Sequence, residues 1–107
     1  MAYDEDLANR IRELLADQDG VSEMTMFGGL AFLLGGNMAV AASGQGGLLV
    51  RVDPEEGARL VETTTAEPME MRGRRMAGWL RVEVTTDDEL AQWVDRAVAY
   101  ARTLPPK

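Results

Sequence analysis

Five arginines are the residues of this sequence best suited to binding an anion. Three of them fall in the turn-like segment 72–75, and Arg51 and Arg81 fall in segments whose alternation is typical of strands. A planar guanidinium holds a carboxylate or a phosphate through two parallel hydrogen bonds. The opposing interpretation is that these arginines only pair with the surface carboxylates that this acidic chain supplies. The candidate ligand or partner surface consists of Arg51, Arg72, Arg74, Arg75, Trp79 and Arg81.

No group of side chains in this sequence indicates catalysis. The 107 residues include neither histidine nor cysteine, which removes the usual general base, the thiolate nucleophiles and the commonest zinc ligands. The acidic runs 55–56 and 87–89 fall where helices are expected to begin, so we interpret them as parts of helix caps. Most methionines fall in predicted strands, where methionine fills gaps in a core. We therefore expect a protein that is not an enzyme, with no cofactor and no metal site.

Two glycine-rich segments resemble phosphate-binding loops only superficially. Gly28–Gly29 and residues 44–47 lie between predicted strands, whereas a P-loop or a dinucleotide fingerprint needs a longer pattern between a strand and a helix. Glycine reaches positive φ without steric cost and permits a close approach of two backbones. We therefore interpret both segments as turns that join strands.

The charge distribution opposes binding to nucleic acid. The chain carries a formal net charge of −7, which repels a phosphate backbone. Residues 68–81 form a basic block, with four arginines against a single glutamate, and this block could hold a local anion. No apolar run is long enough to cross a bilayer, and the N-terminus is acidic. We expect a cytoplasmic protein without membrane association or autonomous nucleic-acid binding.

Hydrophobic spacing predicts the elements that must position these side chains. Apolar residues three or four apart predict helices near both termini and after the helix start at Asp53–Pro54. Alternation of period two predicts four strands before the middle helix and two after it. The predicted order is α-β-β-β-β-α-β-β-α, in a single domain over residues 1–107. This order is typical of an α+β fold, a two-layer α/β sandwich whose antiparallel sheet carries the helices on one face.

The uncovered face of this sheet is predicted to meet a partner. Alternation places Met38 on the same face of the third strand as Val40. On the face that the helices leave uncovered, exposed Leu49 and Trp79 would form an apolar patch, and such patches mark interaction sites. We therefore predict a homodimer built on that face. The residues expected there are Leu33, Leu49, Arg51, Trp79 and Arg81.

Four segments carry motifs that occur together in one family. Residues 26–29 (Met-Phe-Gly-Gly) precede a strand and a Gly-Asn turn, and residues 49–53 form a strand and helix entry. Residues 74–82 resemble an "MKGW" block, with Ala77 where lysine is common, and residues 93–105 resemble a closing helix. Together they are similar to the TfoX (Sxy) N-terminal domain family. The motif positions to which we assign a structural role are Met26, Phe27, Gly28, Gly29 and Gly78.

The resemblance implies a two-layer α/β domain and a regulatory role. Full-length relatives promote competence for DNA uptake as coactivators of a cyclic-AMP-receptor-type transcription factor, and they carry a second, C-terminal domain. We expect a stand-alone module without that second domain, and the resemblance supplies no catalytic residue. Our main hypothesis is a non-catalytic regulatory or protein-interaction module with an unknown protein partner. The alternative is a small anionic-ligand-binding protein that uses the Arg72–Arg81 region.

Overall fold

The described residues form three helices and six strands. The computed structural model describes residues 4–26, 28–44, 47–71 and 73–105, apart from the side chains of residues 26, 71 and 74–77. The predicted α+β class and element order are confirmed. The elements are α1 (Glu5–Leu14), β1 (Val21–Met26), β2 (Gly29–Leu34), β3 (Asn37–Ala42), β4 (Leu48–Arg51), α2 (Pro54–Thr63), β5 (Glu67–Met71), β6 (Arg74–Val82) and α3 (Asp87–Ala101).

Side-chain caps begin the helices where the sequence predicts them. The Asp53 carboxylate accepts a hydrogen bond from the Glu55 backbone N–H at 2.9 Å, and the Thr86 hydroxyl accepts one from the Glu89 N–H at 3.1 Å. These bonds satisfy N–H groups that the first helical turn leaves without a partner. The acidic residues of both first turns lie at the positive end of the helix dipole. The interpretation of both acidic runs as helix starts is therefore confirmed.

All three helices pack against one face of a six-stranded antiparallel sheet. The strands lie side by side in the order β1-β2-β3-β4-β6-β5. One cluster joins buried helix residues such as Ile11, Leu60 and Val94 to strand residues such as Phe32 and Val50. A second cluster, on the opposite face, contains residues of strands alone. The predicted placement of the helices on one face is confirmed.

A bulge in β3 changes one predicted face. Phe32 of β2 lies opposite Val40, but the next residue, Leu33, lies opposite Met38. Ala39 is therefore an additional residue in β3, and both Ala39 and Val40 join the helix-facing core. The prediction that Met38 shares a face with Val40 is wrong, because the additional residue interrupts the alternation.

The side chains on the second face of the sheet are more deeply buried than strand alternation predicts. The side chains of Ala31, Met38, Ala41, Leu49 and Met69 pack together there, with Leu33 and Trp79 partly buried against them. Leu49 is only 3% exposed, so the predicted open patch at Leu49 is wrong. Neighbouring side chains of the cluster close over a residue that strand alternation alone would leave in solvent. Among the described residues, the exposed large hydrophobic side chains are Leu14 and Met24.

The two adjacent glycines that open β2 have different roles. Gly28 adopts φ of +73° in the turn between β1 and β2, and a Cβ atom there would meet nothing within 4 Å. Gly29 lies in β2, where a Cβ atom would collide with the carbonyl oxygen of Ala42. The second glycine run also joins two strands, and its Ser43 N–H donates to the Gly47 carbonyl at 3.1 Å. Gly28 and the described ends of the second run, Gly44 and Gly47, therefore lie between strands as predicted, whereas Gly29 already belongs to β2 and residues 45–46 lie outside the described residues.

A salt bridge joins α1 to the edge strand β1. Nε and Nη2 of Arg12 each donate to a carboxylate oxygen of Glu23 at 2.8 Å. This hydrogen-bonded guanidinium lowers the pKa of Glu23, and burial opposes the shift only in part. The two side chains remain 43% and 38% exposed, so the pair contributes less than about 1 kcal/mol to stability.

We expect Arg12→Gln to raise the pKa of Glu23 toward its ordinary value. Because the pKa is lowered in the folded state, the stabilisation is fully present above the pKa of the unfolded chain and is lost as the pH falls through the folded-state pKa. The substitution should therefore reduce stability at neutral pH and have little effect in strong acid. An NMR titration of the Glu23 carboxyl carbon measures the shift, and an unchanged pKa in the variant would contradict the pairing.

Candidate functional site

Arg51 contacts two aromatic rings at the end of β4. It is paired in the ladder with Trp79 of β6, and its Cζ atom lies 5.8 Å from the centroid of the Trp79 ring. The same atom lies 5.8 Å from the centroid of the Tyr100 ring, on α3. Each cation–π contact of this kind contributes about 0.5–1 kcal/mol at a partly exposed site. The three side chains form a group that we call the Arg51 site: Arg51, Trp79 and Tyr100.

The backbone around Gly78 holds the two strands of this site together. Gly78 adopts φ of +82°, and a Cβ atom there would lie 2.7 Å from the Val52 carbonyl oxygen. The Val52 N–H donates to the Gly78 carbonyl at 2.8 Å, just beyond the Arg51–Trp79 pair. Gly78 therefore allows β6 to approach the end of β4 more closely than any residue with a side chain would.

Helix α3 supplies the second ring. Its buried side chains pack over β3 and β4, and the contact of Tyr100 with Arg51 places its C-terminal turn near the end of β4. Tyr100 is half-buried on the margin of this helix, and so its ring reaches Arg51 while the apolar stripe stays in the core. The site thus unites elements that are distant in the sequence.

The guanidinium of Arg51 has no hydrogen-bond partner among the described residues. In the described part of the chain, Arg51 contacts the two rings and makes neither an ion pair nor a side-chain hydrogen bond. No buried side-chain nitrogen or oxygen of the described residues lacks a partner, so the guanidinium nitrogens of Arg51 reach solvent. Five N–H donors in a fixed plane, oriented by flanking rings, are suited to a carboxylate or a phosphate.

A profile of the TfoX N-terminal domain matches residues 13–101 of the 107-residue chain. The chain belongs to the TfoX N-terminal domain family. The matched range covers every strand, α2 and α3, and so includes the whole Arg51 site. No curated protein and no solved structure matches this TfoX N-terminal domain.

The motif positions of this TfoX N-terminal domain are mainly backbone positions. Gly28 and Gly78 adopt positive φ, and Gly29 lies where a side chain would collide with β3. Met26 ends β1, with its side chain outside the description, and Phe27 lies outside the described residues. At each of these three glycines, a side chain would meet either a strained φ or a neighbouring backbone.

The structure unites part of the predicted arginine surface. Arg51 and Trp79 are cross-strand neighbours. Arg81 lies opposite Leu49 on one side and Glu67 on the other, and its side chain interacts with other groups of the chain. Of the basic turn, Arg72 lies outside the described residues, and Arg74 and Arg75 are described by their backbone in β6 alone.

Tyr100 is the member of the site that sequence reasoning missed. The helical pattern assigns Trp93 and Tyr100 to packing, and Trp93 is indeed 6% exposed, with Arg96 4.7 Å from its ring centroid. Tyr100 instead reaches the end of β4. Its position at the margin of the apolar stripe was the one sequence signal that its ring lies partly outside the core. Only the packing of α3 across the sheet identifies Arg51 as its neighbour.

A groove between α1 and α3 offers the TfoX N-terminal domain no comparable site. It has a volume of about 400 Å³ and contains the charged residues Asp6, Arg10, Glu13 and Asp87. Arg10 pairs with Asp6 and with Asp87, at 3.2 Å each, so its charge is already balanced. Within the described residues, no three carboxylates converge as metal ligands, and no helix is long and apolar enough to cross a membrane.

Proposed function

We propose that this TfoX N-terminal domain is a non-catalytic regulatory module that binds an acidic segment of a partner protein at the Arg51 site. The observation that carries the proposal is the Arg51 guanidinium, which lies 5.8 Å from both the Trp79 and the Tyr100 ring centroids and is unpaired among the described residues. An aspartate or glutamate of the partner would accept two parallel hydrogen bonds from that edge. The flanking rings would pack against the neighbouring part of the partner.

A protein partner suits this site better than nucleic acid does. Tryptophan, tyrosine and arginine are the residue types that most often dominate the energetics of protein interfaces, and the site consists of one of each. The net charge of −7 repels an extended phosphate backbone, whereas a single carboxylate needs only a local cation. Membership of the family also supports a cytoplasmic role in transcription regulation, as a coactivator in competence for DNA uptake.

Titration of Trp79 fluorescence with a glutamate-rich peptide tests this function. A Trp93→Phe background leaves Trp79 as the only tryptophan, since the chain has two. We expect saturable binding, weakened about tenfold or more by Arg51→Gln, because a charge-assisted hydrogen bond contributes about 1.5–3 kcal/mol. Arg59→Gln is the matched control, since Arg59 is an exposed arginine on α2, and it should leave the affinity unchanged.

Small anions distinguish the alternative function. If succinate or inorganic phosphate binds as tightly as the peptide and depends equally on Arg51, the domain is a small anionic-ligand-binding protein. A neutral glutamine peptide of the same length controls for contacts with the rings alone. Fluorescence that responds to neither the acidic peptide nor the small anions would contradict both functions.

A further inference from the structure

The two edges of the sheet differ in how they resist pairing with another strand. At one edge, β5 carries Pro68, which has no N–H to donate, between Glu67 and Glu70. Proline and charge are common devices that block an edge. At the other edge, β1 has no proline, and its single charged residue, Glu23, is already paired with Arg12 of α1. The β1 edge therefore lacks the protection that β5 has.

The hydrogen-bond phase of β1 identifies which groups this edge offers. The Gly35 N–H donates to the Gly20 carbonyl at 3.1 Å, in register with the β1–β2 ladder. Because antiparallel bonding alternates along a strand, residues 22, 24 and 26 bond to β2. The N–H and C=O groups of Val21, Glu23 and Thr25 point away from the sheet. In the described part of the chain, no further backbone hydrogen bond satisfies them.

Among the described side chains of this edge, the most exposed large hydrophobic one lies at its centre. Met24 is 51% exposed. It lies opposite Ala31, which lies opposite Ala41, which in turn lies opposite Leu49. Met24 is thus the exposed end of a row of small and apolar residues that is buried across the rest of the second face.

We propose that β1 pairs antiparallel with β1 of a second copy of this chain, with Met24 opposite Met24 of the second copy. In a symmetric pair of β1 strands, a residue whose N–H and C=O groups point away from β2 must lie opposite another residue of that kind. A centre at Glu23 would place two carboxylates opposite each other, which is destabilising. A centre at Met24 instead places Glu23 opposite Thr25, and it buries the exposed methionine against its symmetry mate.

Local charge favours a second copy on this edge. Glu23 is the one charged residue of β1 and its charge is balanced by Arg12, so the edge is neutral although the chain carries a net charge of −7. Glu23 also keeps its Arg12 partner, because that pair lies on the helix side while the new bonds form in the plane of the sheet. The predicted homodimer is therefore assigned to the β1 edge, away from the Arg51 site on β4 and β6.

Single-cysteine variants test the pairing and its register, since the chain has no cysteine of its own. Met24→Cys should form a disulfide-linked dimer as the main product of mild oxidation, because facing residues of a non-hydrogen-bonded pair lie close enough to cross-link. Ser22→Cys, on the same face of the same strand, is the matched control. It would lie opposite residue 26 of the second copy, so the variant should still dimerise but form little disulfide-linked product. Equal cross-linking of the two variants would overturn the register.

A proline variant tests the edge independently. Thr25→Pro removes an N–H that points away from β2, so the β1–β2 ladder is kept. Sedimentation should show a dimer for the wild-type chain and a monomer for the variant, with unchanged circular dichroism. A wild-type chain that is monomeric at high micromolar concentration would overturn the proposal, as would a folded Thr25→Pro variant that still dimerises. Either result would leave the Arg51 function standing, because that function is measured by peptide binding.

Discussion

Gly29→Ala should destabilise the domain by about 3 kcal/mol or more, a large share of the stability of a small domain. The Cβ atom of alanine would collide with the Ala42 carbonyl oxygen and press on the Gly44 backbone N–H. Backbone atoms of a paired strand cannot move aside as the end of a flexible side chain can. The start of β2 would therefore have to separate from the end of β3, which breaks the ladder between them.

The neighbouring glycine provides the matched control. Gly28→Ala retains open space around the new methyl group but strains a positive φ, which costs about 1–2 kcal/mol. Urea unfolding of both variants, followed by circular dichroism, gives the two changes in the free energy of unfolding. Equal losses at the two positions would contradict the assignment of Gly29 to a close backbone approach and Gly28 to the turn.

Gly78→Ala should cost about 3 kcal/mol and disturb the Arg51 site as well. A methyl group would combine the strain of φ at +82° with a contact of 2.7 Å to the Val52 carbonyl oxygen. The hydrogen bond from the Val52 N–H to Gly78 would lengthen, and Trp79 would move relative to Arg51. Peptide affinity should therefore fall together with stability.

Gly73→Ala is the control for backbone strain alone. Gly73 has φ of +77°, and a methyl group at this position would meet nothing within 4 Å, so we expect a loss of about 1–2 kcal/mol. Its peptide affinity should match the wild type. Thermal unfolding and the Trp79 titration, measured on both variants, separate the two effects. A Gly78→Ala protein with wild-type affinity would show that the close approach of β4 and β6 does not position the site.

Local patterns predicted most of the fold. Leu30, Phe32 and Leu34 alternate with Ala31 and Leu33 along β2, and the first three are buried in the helix-facing cluster. The Asp53–Pro54 helix start likewise depends on residues adjacent in sequence, and its predicted cap is present. Such features are readable because the residues that decide them lie within one strand or one helical turn.

Features that depend on tertiary packing were beyond the sequence pattern. Nothing in the residue types of β3 marks Ala39 as an additional residue. A prediction from alternation alone therefore placed Met38 on the wrong face. The burial of Leu49 depends on neighbours from other strands. For the same reason the arginine surface could be predicted from residue type, but the contact of Arg51 with Tyr100 required the path of α3 over the sheet.

The Nε–Hε resonance of Arg51 tests the proposed function most directly. Ring currents from Trp79 and Tyr100 should distinguish it from the other arginines in isotope-labelled protein. During titration with the glutamate-rich peptide, we predict a saturable shift of this resonance with the same Kd as the Trp79 fluorescence, while that of Arg59 stays in place. An Arg51 resonance that is unmoved when the fluorescence is saturated, or that moves no more than Arg59, would contradict carboxylate recognition at this site.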